Sequence, residues 1–299
     1  MKLNELLVKA THNSGTTVAV AAAEDEEVIE AIAEALTHKL AKFMLFGERE
    51  KITDLLTKSG VRQATEISIF ETASKEESAA SAVKAVQAGE ANVLMKGNIP
   101  TSSLLKAVLN KEYGLRTGSV LSHVAVFEIP GYERLQIITD AAMNIAPTLQ
   151  EKVQILNNAV TVAHSIDISV PKVAPIAAVE VINPAMEATM DAALLTQMNK
   201  RGQIKNCIVD GPLALDNAVS ALAAEHKGIN SEVAGQADIL LVPTIEVGNV
   251  LYKSLIYFAN AEVGAIIAGA RAPIVLTSRA DSAKSKLYSL ALAVCSVNI

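Results

Sequence analysis

Short apolar runs alternate with longer amphipathic stretches almost from end to end of this chain, and this rhythm constrains the fold more than any other feature. A short apolar run predicts a buried strand, and apolar residues three or four apart predict a helix. Alternation of the two predicts an α/β fold of mostly parallel sheets covered by helices on both faces, with ligands at the carboxyl ends of the strands. The first part of the chain gives strands at 18–23, 43–46, 67–70 and 93–95, and helices at about 24–40, 74–88 and 101–113.

The alternation is interrupted near residue 130. Two strand-like runs, 120–129 and 135–139, are separated by the turn signal Pro130-Gly131, which leaves no room for a helix. We therefore expect an antiparallel pair and place a domain seam at this hairpin, giving domains of residues 1–133 plus 273–299 and residues 134–272. The alternation then resumes, with a helix at 148–166, strands near 174–181, 207–209, 239–242, 265–268 and 274–277, and helices from about 184, 213, 248 and 282. Ser74 with Glu77 and Thr148 with Glu151 predict capping boxes at the starts of the helices at 74–88 and 148–166.

Composition narrows the class of protein further. The chain has 299 residues, of which 51% are hydrophobic and 19% charged, and this balance excludes a disordered chain. Aromatic residues make up only 3%, so the core is expected to be aliphatic. The net charge of −6 offers no general attraction for nucleic acid. No signal peptide or membrane span is legible, so we expect a cytoplasmic protein that binds neither nucleic acid nor membrane.

Spacing excludes several common catalytic sites. No two glycines stand at i and i+2, which excludes the dinucleotide fingerprint, and no glycine precedes a lysine, which excludes a P-loop. In GLRTG, Arg116 stands where a nucleophile elbow requires serine. The five histidines are scattered, and Cys207 and Cys295 form neither a disulfide framework nor a metal knuckle.

Polar residues that directly follow predicted strands carry the remaining signal. Lys96-Gly97-Asn98 follows the strand at 93–95 and precedes a helix start, an arrangement that can hold a phosphate or a carboxylate. A surface lysine beside an ordinary helix cap fits this segment equally well. Asp210 and Asp216 surround another strand-to-helix turn, where a capping role and a ligand role are equally consistent with the sequence.

Two further strand ends carry polar side chains. Asn249 and Lys253 follow the strand at 239–242 and are consistent either with ligand binding or with solvated helix positions. The densest cluster is 277–282, TSRADS, in which Arg279 offers a planar fork of donors suited to phosphate. Asp281 can act there as a helix cap or as a base, and several hydrogen-bonding residues at one strand end favour a site.

Taken together, the segments at these strand ends are similar to one family, the phosphate acyltransferases of the phosphotransacetylase/phosphotransbutyrylase type, above all to its phosphate butyryltransferase branch. The resemblance runs in the family's order over about residues 94–282. It is carried by LMKGNIPTSSLLKAVLNKEYGLRTG (94–118), SHVAVFE (122–128), TDAAMNIAPT (139–148), DGPLALDNAVS (210–220), ADILLVPTIEVGNVLYKSL (237–255) and LTSRADS (276–282).

The resemblance implies a two-domain α/β/α sandwich like that of isocitrate and isopropylmalate dehydrogenases, with the active site in the interdomain cleft. It implies the reaction acyl-CoA + phosphate ⇌ acyl phosphate + CoA in short-chain fatty acid metabolism, by direct attack within a ternary complex. CoA and acyl-CoA are then substrates, no metal or prosthetic group is implied, and the protein is expected to be a homo-oligomer.

The resemblance also implies roles for residues. Ser278 and Arg279 match the family's Ser-Arg pair, Arg279 for phosphoryl and transition-state charge and Ser278 for the carbonyl oxygen or the thiol. Acetyl-transferring members carry a catalytic aspartate farther along, where this chain has Ser285 and lysines, so Asp281 is the candidate base. The expected substrate-binding residues are Arg116, Lys96, Asn249, Lys253 and Thr277.

Two other functions are kept open. A decarboxylating hydroxyacid dehydrogenase of the same fold would need a divalent metal, a nicotinamide and paired aspartates, and such pairs are not evident. A CoA-binding relative without turnover is the other alternative, because the family's aspartate is missing from the last helix.

Overall fold

The computed structural model describes residues 1–13, 15–61, 65–277 and 281–297. Helices and strands alternate through them as the sequence predicts. In chain order the elements are α1 (Leu3–Ala10), β1 (Thr17–Ala21), α2 (Glu26–Thr37), β2 (Lys42–Gly47), α3 (Arg49–Lys58), β3 (Ile67–Glu71), α4 (Lys75–Gln87), β4 (Val93–Lys96), α5 (Thr101–Val108), β5 (Ser122–Glu128), β6 (Leu135–Thr139), α6 (Leu149–Ser165), β7 (Lys172–Pro175), α7 (Glu187–Lys200), β8 (Ile208–Val209), α8 (Leu215–Val219), α9 (Ala221–His226), β9 (Ile239–Leu241), α10 (Ile245–Tyr257), β10 (Glu262–Ala268), β11 (Ile274–Val275) and α11 (Ala283–Cys295).

The chain divides into two compact units. The first unit is Leu3–Ser119 with Gly264–Ile299, and the second unit is Val120–Val263 with Met1–Lys2. The antiparallel hairpin of β5 and β6 lies whole within the second unit, because its two strands pair from Val124–Thr139 to Glu128–Leu135. The chain therefore passes from one unit to the other at 119/120 and at 263/264. The first boundary predicted from the sequence, at 133/134, lies inside the hairpin. The predicted domains, 1–133 plus 273–299 and 134–272, stay a prediction.

The first unit contains a sheet in the order β3-β2-β1-β4-β11-β10. All its pairs are parallel except that of β10 with β11. The strand order reverses beside β1, since β2 and β3 lie on one side of it and β4 on the other. Its central strands are aliphatic and buried, as Val18, Val20 and Val93 show, as expected for a parallel sheet covered on both faces. The core of this unit also contains two fully buried aromatic side chains, Phe43 and Tyr288.

In the second unit the strand order is β5-β6-β9-β7-β8, parallel except within the hairpin. Helix α6 packs on β5, β6 and β9, and α7 packs on β7 and β8. The predicted capping box at the start of α6 is confirmed: the Thr148 hydroxyl accepts from the Glu151 backbone, and the Glu151 carboxylate accepts from the Thr148 backbone. Among the helices of the described residues, none has the length and apolarity needed to cross a membrane.

Several predicted boundaries are wrong by a few residues. The strand expected near 174–181 ends at Pro175, because beyond one isolated bridge at Ile176 the chain bends and leaves Val181 exposed. The helix expected from 184 begins at Glu187, and the one expected from 213 is two short helices, α8 and α9. Helix α10 begins at Ile245 instead of 248, since Thr244 already has the extended backbone of an N-cap.

Candidate functional site

In the first unit, the predicted binding residues Lys96 and Thr277 lie at the carboxyl ends of β4 and β11. Open α/β sheets bind ligands where the strand order reverses, and here that point lies between β1 and β4. Gly97 follows β4 and packs on the chain leaving β1: a Cβ at this position would stand 2.0 Å from the Ala22 carbonyl oxygen. Only glycine permits this approach, which brings the loops after the two strands together.

Lys96 and Thr277 are brought together at this edge. Lys96 is the last residue of β4 and Thr277 comes two residues after β11, and the two strands pair with Met95 opposite Val275. Both residues are buried, at 7% and 6% exposure. The Lys96 ammonium donates to the Gly97 carbonyl oxygen at 3.2 Å. A buried ammonium and a buried hydroxyl at the ends of two paired strands are suited to hold an anionic group.

The backbone of Asp281 is anchored by a buried lysine to which no role was assigned from the sequence. Lys286 of α11 has a side chain that is 3% exposed, and its Nζ lies 2.5 Å from the carbonyl oxygen of Asp281 and 2.5 Å from a carboxylate oxygen of Glu27. Ser282 caps α11 by accepting from the Ser285 backbone. Asp281, the candidate base, is half-buried beside this anchor.

Two predicted catalytic residues cannot be placed. Ser278 and Arg279 lie outside the described residues, so their roles rest on the sequence.

Arg116 lies in the loop between α5 and β5, and its side chain is exposed. The loop itself is fixed: Leu115 is fully buried and accepts a backbone hydrogen bond from Arg271, and the Thr117 hydroxyl donates to the Gly269 carbonyl at 2.6 Å. The contacts thus hold the backbone of GLRTG in place, while the guanidinium stays accessible to a ligand.

In the second unit, the loop after β6 is organised by Asp140, to which the sequence analysis gave no role. This residue is 2% exposed, and its carboxylate accepts from the backbone N–H groups of Ala142, Met143 and Asn144 at 2.9–3.1 Å. The Asn144 side-chain amide also donates to it and to the Leu121 carbonyl. Such a carboxylate shapes the loop and has little capacity left for a ligand. The sequence does contain a signal for this role of Asp140: an aspartate directly follows a predicted strand, and an asparagine stands four residues later.

Asn249 and Lys253 stand on α10, beside the same loop. Gly248 lets the helix approach, since a Cβ there would lie 2.5 Å from the Asp140 carbonyl oxygen. The Asn249 amide is 3.5 Å from the Ala141 carbonyl, and the Lys253 ammonium is 5.4 Å from the centre of the Tyr252 ring. The structure thus places these two candidates near the carboxyl end of β6, while Lys96, Thr277 and Asp281 belong to the first unit.

The ligand interpretation of Asp216 gains no support from its contacts. Its carboxylate pairs with Lys227 at 3.4 Å, and Lys227 also pairs with Glu180 at 3.2 Å. The pKa of Asp216 is lowered, first by the backbone N–H of Asn217. Asp210 directly follows the short strand β8, and its backbone N–H donates to the carbonyl oxygen of Val173 in β7.

Neither cysteine offers a reactive thiol. Cys207 and Cys295 are both buried, and burial raises the pKa of Cys207 to about 11. Within the described ranges, no three His, Cys, Asp or Glu side chains are grouped closely enough to hold a metal ion.

Comparison with known proteins identifies the family of this chain. Residues 62–294 match the family described as phosphate acetyl/butaryl transferase. A probable phosphate butyryltransferase of Bacillus subtilis strain 168 is 61% identical over 99% of this chain and 98% of its own length. A phosphate butyryltransferase of Clostridium acetobutylicum is 50% identical over 97% of this chain and 96% of its own length.

A solved structure agrees with these sequences. The branched-chain phosphotransacylase from Enterococcus faecalis V583 superposes with a TM-score of 0.82 at 37% identity, covering 95% of this chain and 99% of that one. The family match spans most of the chain and includes the segments after β4, β6, β9 and β11. The chain therefore belongs to the phosphate acetyl/butyryl transferase family and is a phosphate acyltransferase.

Proposed function

We propose that this phosphate acyltransferase interconverts butyryl-CoA, or a similar short or branched acyl-CoA, plus phosphate with the acyl phosphate plus CoA. The observation that carries the substrate class is its similarity, over nearly the whole chain, to proteins named phosphate butyryltransferase. Family membership also removes the decarboxylating dehydrogenase alternative. The isocitrate dehydrogenase-like arrangement, the active site in an interdomain cleft, the homo-oligomeric state and the cytoplasmic location are parts of this proposal.

The chemistry needs positive charge and donors in one place. In one direction a phosphate oxygen attacks the thioester carbonyl carbon, a tetrahedral oxyanion forms, and the C–S bond breaks to release the CoA thiolate. Phosphate and CoA are both anions, so their approach requires cations to offset repulsion. Lys96 and Thr277, buried at neighbouring strand ends, are suited to bind the phosphate, and Arg116 is an accessible second cation.

The roles at the centre of the reaction are assigned to segment 277–282. Arg279 stabilises the phosphoryl group and the charge of the transition state, and Ser278 donates to the carbonyl oxygen or orients the thiol. In the reverse direction a base must take the proton of the CoA thiol, whose ordinary pKa is about 8.5. Asp281 is proposed for this step because it stands three residues after Ser278 and is the nearest substitute for the family's aspartate. Lys286 holds its backbone carbonyl. Asn249 and Lys253 are proposed to contact CoA.

Thiol release tests the function directly. Acyl-CoA and inorganic phosphate should release a free thiol detectable with a chromogenic disulfide, with butyryl- or isobutyryl-CoA giving a higher kcat/KM than acetyl-CoA. One methylene shifts discrimination by about 10–200-fold, so the series acetyl, propionyl, butyryl and isobutyryl should separate clearly. Because both cysteines are buried, the native enzyme should add little background.

The controls separate the alternatives. Omitting phosphate should abolish release. A preference for acetyl-CoA would contradict the proposed substrate class, and CoA binding by calorimetry without release from any acyl-CoA would establish the non-catalytic alternative.

The anchor of the catalytic segment gives a second prediction. Replacing Lys286 by methionine removes the donor that holds the Asp281 carbonyl and leaves Glu27 without this partner. A misplacement of about 1 Å at a catalytic group can cost roughly 10²-fold, so we expect kcat/KM to fall by 10- to 100-fold. Thiol release should be measured at a temperature where circular dichroism shows the variant folded.

Two variants serve as controls for the anchor. Lys286→Arg keeps the charge and should retain most activity, and Lys284→Met removes an exposed lysine from the same helix and should change little. Activity of Lys286→Met within threefold of wild type would show that the anchor does not position the segment.

A further inference from the structure

His123 is a buried histidine in a strand that is mostly apolar. It is the second residue of β5 and is 7% exposed, while the four residues that follow it are apolar and fully buried. The other four histidines of the chain all belong to the described residues, and each of them is exposed or part-exposed. Burying a polar ring costs free energy unless the ring makes hydrogen bonds. A histidine in this position therefore indicates a role beyond packing.

The antiparallel direction of β5 brings His123 to the ligand-binding edge of the second unit. β5 runs opposite to β6 and pairs Val124 with Thr139, the last residue of β6. The first residues of β5 therefore lie at the same edge of the sheet as the carboxyl ends of β6, β9 and β7, which are parallel to one another. Open α/β sheets bind ligands at that edge. His123 thus lies where a substrate is expected.

Contacts fix both the backbone and the ring of His123. The Thr139 hydroxyl donates to the carbonyl oxygen of His123 at 2.9 Å. The imidazole lies edge-on to the ring of Tyr252, with 5.8 Å between the ring centres. Phe127, on the same face of β5, contacts Tyr252 in the same way at 5.2 Å. A ring held like this can present a hydrogen-bond donor without reorganising during a reaction.

The helix that contacts His123 also carries both candidates for binding CoA. Asn249 and Lys253 stand within four residues of Tyr252 on α10. Since Tyr252 and Lys253 come three and four residues after Asn249, the three side chains share one side of the helix. The Asn249 amide lies 3.5 Å from the carbonyl oxygen of Ala141, in the loop after β6. The proposed CoA contacts and the imidazole are therefore found at one edge of this unit.

We propose that His123 is a further catalytic residue of the acyl transfer, whose ring N–H donates a hydrogen bond to the thioester carbonyl oxygen of the acyl-CoA. This inference rests on the proposed function. As a phosphate oxygen bonds to the carbonyl carbon, an electron pair of the C=O bond moves onto that oxygen, and it returns when the C–S bond breaks. The ring N–H stays on His123 throughout, so the imidazole ends the reaction unchanged and no further reactant is needed.

An imidazole is suited to this role because even its neutral form carries one ring N–H. The oxygen bears more negative charge in the transition state than in the bound thioester, so the hydrogen bond is stronger there and lowers the barrier. Ser278 has the same oxygen as one of its two proposed partners, and a tetrahedral oxyanion accepts hydrogen bonds from two donors. The proton of the CoA thiol remains assigned to Asp281.

The kinetic test compares two replacements. His123→Phe keeps a flat ring and removes the donor, so kcat for thiol release should fall about 10²–10³-fold while KM for the acyl-CoA changes less than about threefold. His123→Gln restores an N–H donor, and its kcat should exceed that of His123→Phe by at least about tenfold. His226→Phe replaces an exposed histidine of the same unit and should leave kcat unchanged. The substrate is the acyl-CoA that wild type turns over fastest, so the result does not depend on chain-length preference.

Infrared difference spectroscopy tests the hydrogen bond without turnover. Butyryl-CoA labelled with carbon-13 at the thioester carbonyl is bound to the protein without phosphate. A hydrogen bond lowers the carbonyl stretching frequency, so the frequency should be lower on wild type than in free butyryl-CoA, and most of this shift should be lost on His123→Phe. A purely structural role of the ring would not produce this difference between folded proteins.

Three results would each overturn the role of His123. These are a folded His123→Phe variant with kcat within threefold of wild type, a loss confined to KM, and a carbonyl frequency on wild type equal to that of free butyryl-CoA. The last of these needs no variant, so it decides the matter even if His123→Phe does not fold. Failure of the proposed function has a different signature, because wild type would then release no thiol from any acyl-CoA.

Discussion

Replacing Arg279 by alanine is expected to lower kcat of the acyl transfer by about 10²–10³-fold while leaving the fold intact. Removing one preorganised donor from an oxyanion typically costs about 2.7–4 kcal/mol of transition-state stabilisation. Arg279 is assigned both the phosphoryl group and the developing charge, so its loss also leaves two anionic reactants with less to offset their repulsion. The measurement is thiol release at saturating phosphate and acyl-CoA.

Two further variants make the result specific. Arg279→Lys keeps the charge but loses the planar fork, so its kcat should fall between those of wild type and Arg279→Ala. Arg271→Ala removes an exposed arginine from the same unit, one that uses its backbone N–H to contact Leu115, and should leave kcat unchanged. If Arg279→Ala, folded by circular dichroism, keeps kcat within threefold of wild type, the assigned role is wrong.

The fold was predictable where its causes are local. The capping residues Ser74 and Thr148 predict the starts of α4 and α6, and both hydroxyls accept the expected backbone hydrogen bond. Pro130-Gly131 predicts the antiparallel hairpin, because a tight turn between two apolar runs leaves no room for a crossover. These signals lie within a few residues of the feature they specify.

The site was only partly predictable, because sequence spacing does not reveal strand order. Lys96 was a candidate, but nothing in the sequence places it beside Thr277, since β4 and β11 are 180 residues apart and pair only in the folded sheet. The anchor between Lys286 and Glu27 joins residues 259 positions apart.

The second unit contains a buried ion pair that the proposed reaction does not use. The Lys152 ammonium lies 2.5 Å from the Asp191 carboxylate, with side chains 7% and 11% exposed. The pair lines a cavity of about 10 Å³ at the carboxyl ends of β7 and β9, where the strand order of this unit reverses. A cavity of that size holds about one water molecule. In the second unit, the ion pair thus lies at the point where the strand order reverses. In the first unit, Lys96 and Gly97 lie at the corresponding point.

Asp191→Ala is therefore expected to destabilise the second unit by about 3–5 kcal/mol, because it leaves an ammonium buried without its counter-charge. Each kcal/mol lowers Tm by about 2–4 °C in a unit of this size, so thermal scans should show a fall of roughly 6–20 °C. The double variant Lys152→Met/Asp191→Leu replaces both charges by apolar groups and should recover most of this loss. Asp216→Ala, which breaks an exposed pair with Lys227, should leave Tm nearly unchanged. If Asp191→Ala lowers Tm no more than Asp216→Ala, or if the double variant is less stable than Asp191→Ala, the buried pair does not stabilise this unit through its charges.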